Sequence, residues 1–437
     1  MCQKKRIPMR KPVLFFAVFL LSVVSLYGDP YENIAVVHGG PNISGGAINV
    51  AERIAANEFY KTHPDIYDFI IVYTTFTPVM NMQQGIMLQS AAEGIGRDPS
   101  FWSPHGTPTD WGSEGRLLGG ARMCNIDQYP WNPDDPMPFP LRGLSSIELL
   151  AHEMGHFWLS AMNYKKEGAS EGSGGLRGCE GATETERCSP NQHWNSDFSS
   201  GPSVMYGHHI VDNEDGTFTY YYDTPRKFGQ LDQYVMGLRA PEEVDPMFYL
   251  CRSQPCHEGN PSLPGSKTSS PSTVSFEKIE VTMDDIIREM GPRKPSHEEA
   301  KKHFNIAFIL LNEPGFWPFP EQFAKLDAIR VRYEEWWYWA TDGRSTICTR
   351  LDGNCDVEEE APDDDMNDDD QEYPDEWHVE PDDGHTEQPD MDKSEPDDIE
   401  KEEEIIPDDD TAAGEKTDDI WDSFDDETGC SCSFISF

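Results

Sequence analysis

Short apolar runs separated by polar turns mark the first third of the chain. Residues 33–38 and 68–75 are apolar runs of strand length, and each predicts a β-strand. Between them, residues 47–60 carry apolar side chains at helical spacing. Residues 117–126 predict a further strand, at the edge of a sheet. The folded region therefore begins with a mixed sheet and one helix.

Helical patterns dominate the rest of the folded region. After a proline-rich stretch, Ser145 or Ser146 supplies an N-cap and Glu148 lies in the first turn, which predicts a helix over residues 145–162. A turn and a strand are expected at residues 212–222. Further helices are predicted at residues 228–238, 283–290, 297–311 and 321–340. The expected fold class is α+β, with an N-terminal mixed sheet and a largely helical C-terminal part.

Composition divides the chain into three parts. Residues 1–28 combine a basic start with the apolar run 13–26, which is shorter than the roughly 20 residues that a membrane-spanning helix needs. They predict a signal peptide, with an uncleaved anchor as the alternative. Residues 29–355 form one expected catalytic domain. Residues 356–437 carry 36 Asp and Glu against three Lys, a net of −33 out of −46, and predict a disordered acidic tail. This charge excludes nucleic acid as a partner.

Most cysteines occur in close pairs, as in proteins of an oxidising compartment. Each pair can close a small loop, although adjacency leaves the connectivity open: Cys179 with Cys188, Cys251 with Cys256, and Cys348 with Cys355. Cys124 is expected to be a buried thiol. The terminal Gly429-Cys430-Ser431-Cys432 resembles the endings of some exported bacterial proteins and suggests cell-surface attachment, with a terminal disulfide as the alternative. The protein is thus expected to be secreted or held at the cell surface.

The main chemical signal lies within the predicted helix 145–162, in the sequence His152-Glu153-Met154-Gly155-His156. Two histidines four positions apart lie on one helix face, so both imidazoles can bind one metal ion. Zn²⁺ suits imidazole ligands and lowers the pKa of its bound water to about 7. Glu153 lies between the histidines and can accept a proton from that water. The pattern predicts a zinc hydrolase in which Glu153 is catalytic.

A catalytic zinc site needs a third protein ligand and one open position. In the compact metzincin pattern, a glycine and a histidine would stand where this chain has Leu159 and Met162. A thermolysin-like arrangement would use a glutamate, but none of the candidates lies in a convincing second helix: Glu167, Glu171, Glu180, Glu184 and Glu186. Asp232 is a further candidate, because aspartate also binds zinc.

The segment after the helix resembles leishmanolysin-type metzincins. His193 is followed directly by Trp194, Met205 comes twelve positions after His193, and Gly207 closes the turn. The resemblance covers residues 152–207 and implies that His193, displaced by a long insertion, is the third zinc ligand. It also implies that Met205 packs beneath the metal without binding it. Tyr206 would donate a hydrogen bond to the developing oxyanion, or else pack beside the turn.

These residues predict an exported zinc-dependent endopeptidase that acts on proteins or peptides. One alternative is a non-catalytic surface or binding protein with a structural zinc site. Such sites have four protein ligands and need no acid-base carboxylate, so Glu153 argues against it. A zinc hydrolase of another substrate class is a third alternative. The substrate preference, a propeptide and the oligomeric state are not defined by the sequence.

Overall fold

The computed structural model describes nine stretches of the chain: residues 31–39, 50–78, 81–97, 105–138, 143–179, 190–199, 201–222, 224–251 and 271–355. All of them belong to the first of two units, residues 1–361 and 362–437. The predicted signal peptide, the acidic tail and the terminal cysteine motif therefore lie outside the described residues. None of the helices in these nine stretches has the length and apolar character needed to cross a membrane.

A mixed sheet of six strands forms the centre of this fold. Its strands are β1 (Ile34–His38), β2 (Phe69–Thr74), β3 (Gln84–Met87), β4 (Gly119–Asn125), β12 (His303–Asn312) and β13 (Thr346–Cys348). The order across the sheet is β1, β12, β2, β4, β3, and β13 pairs with the first residues of β12. All neighbours are parallel except β3, which runs antiparallel to β4. Among the described residues, β3 is thus an edge strand.

Five α-helices and seven further strands also belong to the described residues. The helices are α1 (Val50–Phe59), α2 (Ser146–Gly155), α3 (Gln230–Met236), α4 (Met283–Met290) and α5 (Pro320–Ala340). The strands are β5 (Arg177–Cys179), β6 (Pro190–Trp194), β7 (His209–Asp212), β8 (Phe218–Tyr221), β9 (Met247–Cys251), β10 (Ser272–Val274) and β11 (Glu277–Val281). They form the small antiparallel sheets β10-β8-β7, β11-β9 and β5-β6.

Both faces of the large sheet are covered by apolar side chains. Ile70 and Val72 of β2 pack in one cluster with Phe59 of α1. Phe69 and Ile71, which alternate with them along the same strand, pack in a second cluster with residues of α2 and α5. Because side chains alternate between the faces of a strand, helix α1 lies on one face and helices α2 and α5 on the other. Helix α2, which carries the predicted metal motif, therefore rests on the sheet beside β3 and β4.

The α+β class is confirmed, and three of the four helices predicted for the C-terminal part appear as α3, α4 and α5, whereas the fourth is wrong. Residues 297–311, predicted as a helix, contribute most of strand β12, at the centre of the sheet. Seven consecutive residues of this strand, from Ile306 to Asn312, are buried. A parallel strand covered on both faces reads as a continuous apolar run, and such a run has no period that separates it from a buried helix.

The predicted sheet edge is also wrong. Residues 117–126 do contain β4, but this strand lies between β2 and β3. The true edge strand β3 was not predicted, because Gln84 and Gly85 give it no strand-like alternation.

The cysteine predictions are confirmed where the structure describes them. Cys348 and Cys355 form a disulfide, and Cys124 is a free, buried thiol. Cys251 is also disulfide-bonded, while its predicted partner Cys256 lies outside the described residues. The same holds for Cys188, so that the pairing with Cys179 stays a prediction.

Candidate metal centre

Helix α2 begins as its sequence predicts. The backbone N–H of Glu148 donates to Oγ of Ser145 at 3.2 Å, and Glu148 Oε2 accepts the N–H of Ser145 at 2.9 Å. This reciprocal pair satisfies two of the N–H groups that a helix leaves without partners at its start. Every residue of α2 is buried, so the helix carries His152 and Glu153 into the interior.

Helix α2 ends earlier than predicted. Its last helical residue is Gly155, and His156 is the C-cap, whereas the sequence pattern predicts a helix to residue 162. The chain turns at Ser160, whose φ of 60° is left-handed, one position after the Leu159 that stands in place of the metzincin glycine. Arg97 Nη2 donates to the carbonyls of His156 and Leu159 at 2.7 and 2.6 Å. These bonds satisfy carbonyls that a longer helix would have paired internally.

The side chains of His152, His156 and His193 converge on one point. One ring nitrogen from each histidine lies within 4.8 Å of those from the other two. Among the described residues, the group consists of these three histidines. His152 and His156 come from α2, while His193 comes from β6, as the resemblance implies. The Nε2 atoms of His152 and His193 are 3.1 Å apart. Two imidazole nitrogens at this distance must share either a proton or a metal ion.

The donor set fits a zinc ion. Two nitrogens on a tetrahedral zinc lie about 3.3 Å apart, because each Zn–N bond is about 2.0–2.1 Å long. The Nδ1 atom of His152 lies 2.8 Å from the carbonyl of Val204, which fixes its proton there and directs Nε2 at the cluster. His156 Nδ1 is buried without a hydrogen-bond partner. Burial lowers the pKa of all three rings, that of His152 to about 4, so that the rings are neutral at pH 7.

Glu153 is held between the helix and the edge strand. Its side chain is 8% exposed, and its carboxylate accepts a hydrogen bond from the backbone of Gly85 in β3. Burial raises the pKa of Glu153 to about 8, against the opposing effects of the Gly85 bond and the charge of Arg122. With this pKa, Glu153 is mostly protonated at pH 7 in the metal-free protein, and a cation bound at the histidines would lower the pKa and favour the carboxylate that accepts a proton.

Met205 packs directly against helix α2. A Cβ atom placed on Gly155 would lie only 2.7 Å from Met205 Sδ, so Gly155 makes room for this side chain. Met205 is fully buried. Its carbonyl accepts the backbone N–H of Trp194 at 2.9 Å, which ties the turn to the residue after His193. Met205 therefore forms an apolar support beside the cluster.

Asp232 is an anchor of the site and not a member of the histidine cluster. Its Oδ1 accepts Trp194 Nε1–H at 2.7 Å, and its Oδ2 accepts the Ser203 hydroxyl at 2.6 Å and the N–H of Gly229 at 2.9 Å. Ser203 Oγ in turn accepts the N–H of Met205 at 3.0 Å. One carboxylate thus joins the start of α3 to the segments that carry His193 and Met205.

Of the other predicted site residues, Tyr206 borders the histidine cluster, whereas the described glutamates do not belong to it. The ring of Tyr206 lies 4.6 Å from that of His193 and 4.9 Å from that of His152, so Tyr206 borders the cluster. Its φ of 74° is left-handed and turns the chain at this point, together with Gly207 at 75°. Glu167 and Glu171 are exposed and lie outside the cluster. The remaining glutamate candidates, residues 180, 184 and 186, fall outside the described residues.

Two positions that shape the site were missed by the sequence analysis. A Cβ atom on Gly85 would lie 2.5 Å from the carbonyl oxygen of Glu153 and 2.9 Å from the Cβ of His156. Only glycine lets the edge strand approach the helix this closely. Arg97 was missed because no local pattern marks an arginine that caps a helix 59 positions further along the chain.

Comparison with protein-family models, with curated proteins and with solved structures gives no significant match to this chain. The three histidines themselves, brought together beside a helix that also carries Glu153, are therefore the support for a zinc site.

Proposed function

We propose that the protein is an exported zinc-dependent endopeptidase, with His152, His156 and His193 as zinc ligands and Glu153 as the acid-base residue. The convergence of three imidazoles from two separate segments within 4.8 Å is the observation that carries this proposal. Catalytic zinc sites have three protein ligands, and the three histidines of the described cluster match that number.

The residues of the site have distinct roles in the proposed reaction. A zinc ion held by the three histidines would polarise the substrate carbonyl and acidify water. Glu153 would accept a proton from water at the site and later deliver it to the leaving amine. The Gly85 N–H holds the Glu153 carboxylate at the edge strand. Tyr206, whose ring borders the rings of His152 and His193, is the candidate donor to the oxyanion.

Strand β3 lies beside the proposed active site. Among the described residues, β3 pairs with β4 alone, and its Gly85 lies against helix α2. The N–H groups of Gly85 and Met87 already bond to the Glu153 carboxylate and to His105 Nδ1, so they are not free to pair with a substrate strand. The choice of a peptide substrate therefore follows from the histidine and glutamate motif in a chain with an export pattern.

Export is proposed from the basic and apolar pattern of residues 1–28, and the disulfide between Cys348 and Cys355 agrees with an oxidising destination. Fractionation of the producing cells tests whether the protein is released or attached through its C-terminus. Recovery of the mature chain from the medium with its acidic tail uncut would contradict attachment.

The proposed activity is tested by Glu153→Gln with a casein-type substrate. Loss of the general acid-base should reduce kcat by about 10²- to 10⁴-fold while one zinc per chain remains bound. Glu58→Gln, which changes an exposed glutamate of α1, is the matched control and should keep full activity. Full proteolysis by the Glu153→Gln protein would contradict the mechanism. Bound zinc without cleavage of several protein substrates would favour a binding protein or a hydrolase of another class.

A further inference from the structure

A single arginine joins the two segments that supply the histidines. Arg97 is 8% exposed and lies in a loop that follows β3. Its Nη2 donates to the carbonyls of His156 and Leu159, at the end of helix α2, at 2.7 and 2.6 Å. Its Nη1 donates to Oε1 of Gln192 at 3.2 Å. Gln192 directly precedes His193 in strand β6.

The backbone around Arg97 is built for close approach to the helix end. Gly96 has a left-handed φ of 77°, and a Cβ atom there would overlap the carbonyl oxygen of Ala161. The loop therefore packs against the turn that follows α2, which directs the Arg97 side chain at carbonyls that the helix leaves unpaired. A planar guanidinium can donate in several fixed directions at once, so it can bind two backbone carbonyls and an amide together.

Among the described residues, one short strand pairs with the strand that carries His193. Strand β6 has five residues and pairs with the three-residue strand β5, with an irregular register. Trp194 provides the second link, through its backbone bond to Met205 and its indole bond to Asp232. These contacts hold the residue after His193, whereas Arg97 holds the residue before it. His193 is thus fixed from both sides.

The charge of Arg97 opposes metal binding. The guanidinium charge helps to lower the pKa of His156 and His193, and the same charge repels a nearby divalent cation. An arginine at this position therefore weakens the site electrostatically while it strengthens the geometry. The two effects have opposite signs, which makes them separable by experiment.

We propose that Arg97 is a positioning residue that holds the His193 strand against the end of helix α2 and thereby increases the affinity of the three-histidine site for zinc. This inference depends on the proposed metal site. Partners that orient metal ligands typically change affinity by about 10- to 100-fold when they are removed. Arg97→Gln should therefore weaken zinc binding by about that factor, although it removes a repulsive charge.

The test is zinc affinity measured by competition with a chromophoric chelator, on protein whose folding is checked by circular dichroism. Gln192→Ala removes the hydrogen bond between Arg97 and the His193 strand and should weaken zinc binding by a smaller factor than Arg97→Gln. Arg97→Lys keeps the charge and part of the hydrogen bonding, and should lie between the wild type and Arg97→Gln. In the cobalt-substituted protein, the visible bands should change in Arg97→Gln, because the ligand geometry loosens.

Arg330→Gln is the matched control. Arg330 is 7% exposed and bonds to Thr349 and Asp327, far along the chain from the histidines. Arg330→Gln should lower stability. It should keep the zinc affinity of the folded protein within about twofold of the wild-type value, because the contacts that hold the three histidines are untouched.

The outcomes separate the two proposals. Unchanged or tighter zinc binding by Arg97→Gln, with a normal wild type, would overturn the role of Arg97 and leave the metal site intact. A wild type that binds neither zinc nor cobalt would overturn the proposed function itself. If Arg97→Gln does not fold, Gln192→Ala and Arg97→Lys decide, and wild-type affinity in both would contradict the proposal.

Discussion

Replacement of Asp232 distinguishes an anchor from a ligand. Asp232 is 1% exposed and accepts hydrogen bonds from Trp194, Ser203 and Gly229. Asp232→Ala leaves these three donors buried without their acceptor, and each such group costs about 1–3 kcal/mol. The Ser203 hydroxyl can rotate to another acceptor, so we expect a total loss of about 3–5 kcal/mol. Asp232→Asn keeps one acceptor oxygen but points its amide at a donor, and should cost about 1–3 kcal/mol.

The assay is urea unfolding of the metal-free and zinc-loaded proteins at pH 8. This pH keeps the wild-type carboxylate ionised, because burial raises the pKa of Asp232 to about 6. Asp245→Asn, at an exposed position bonded to Gln230, is the control and should change stability by less than about 0.5 kcal/mol. The reasoning would be refuted if Asp232→Asn left the metal-free protein as stable as the wild type and yet abolished zinc binding, as expected for a ligand.

Two further predictions concern acid stability and the edge strand. Burial holds the pKa of the cluster histidines below 6.5, so the unfolded chain binds more protons than the folded one, and the metal-free protein should lose stability as pH falls from about 6.5 to 4. Unfolding at stepped pH checks this, and His152→Gln should show a weaker dependence. Gly85→Ala should force β3 away from α2, lower stability by about 1–3 kcal/mol and reduce proteolysis. In the control Gly172→Ala, the new methyl group meets the carboxyl end of the Glu289 side chain, which can move aside, so stability should change little. Wild-type stability of Gly85→Ala would contradict the packing argument.

Local patterns predicted the elements that depend on local forces. The capping box at Ser145 and the helical spacing in residues 321–340 act within one turn, so helix α2 begins where expected and helix α5 lies where expected. The prediction of strand β12 failed because its burial on both faces is a property of the assembled sheet. Strand β3 was not predicted because its sequence suits a tertiary contact: Gly85 leaves room for the helix that packs on it.

The functional site also combines residues that the local sequence predicts with residues that depend on tertiary contacts. The pair His152 and His156 follows from helix geometry alone, and the structure brings His193 to them as the resemblance implies. Asp232 was considered as a ligand because residue type alone does not tell a metal-binding carboxylate from one that accepts three hydrogen bonds. The end of α2 could not be placed, since Arg97 stabilises it from another part of the chain.

Zinc K-edge X-ray absorption spectroscopy of the purified, zinc-loaded protein tests the central claim most directly. We expect one zinc per chain with three imidazole nitrogens and one oxygen of a water molecule, all at about 2.0–2.1 Å. The variant His193→Ala should lose one imidazole from this shell. A sulfur ligand at about 2.3 Å, a fourth protein ligand in place of water, or no bound zinc at all would contradict the account.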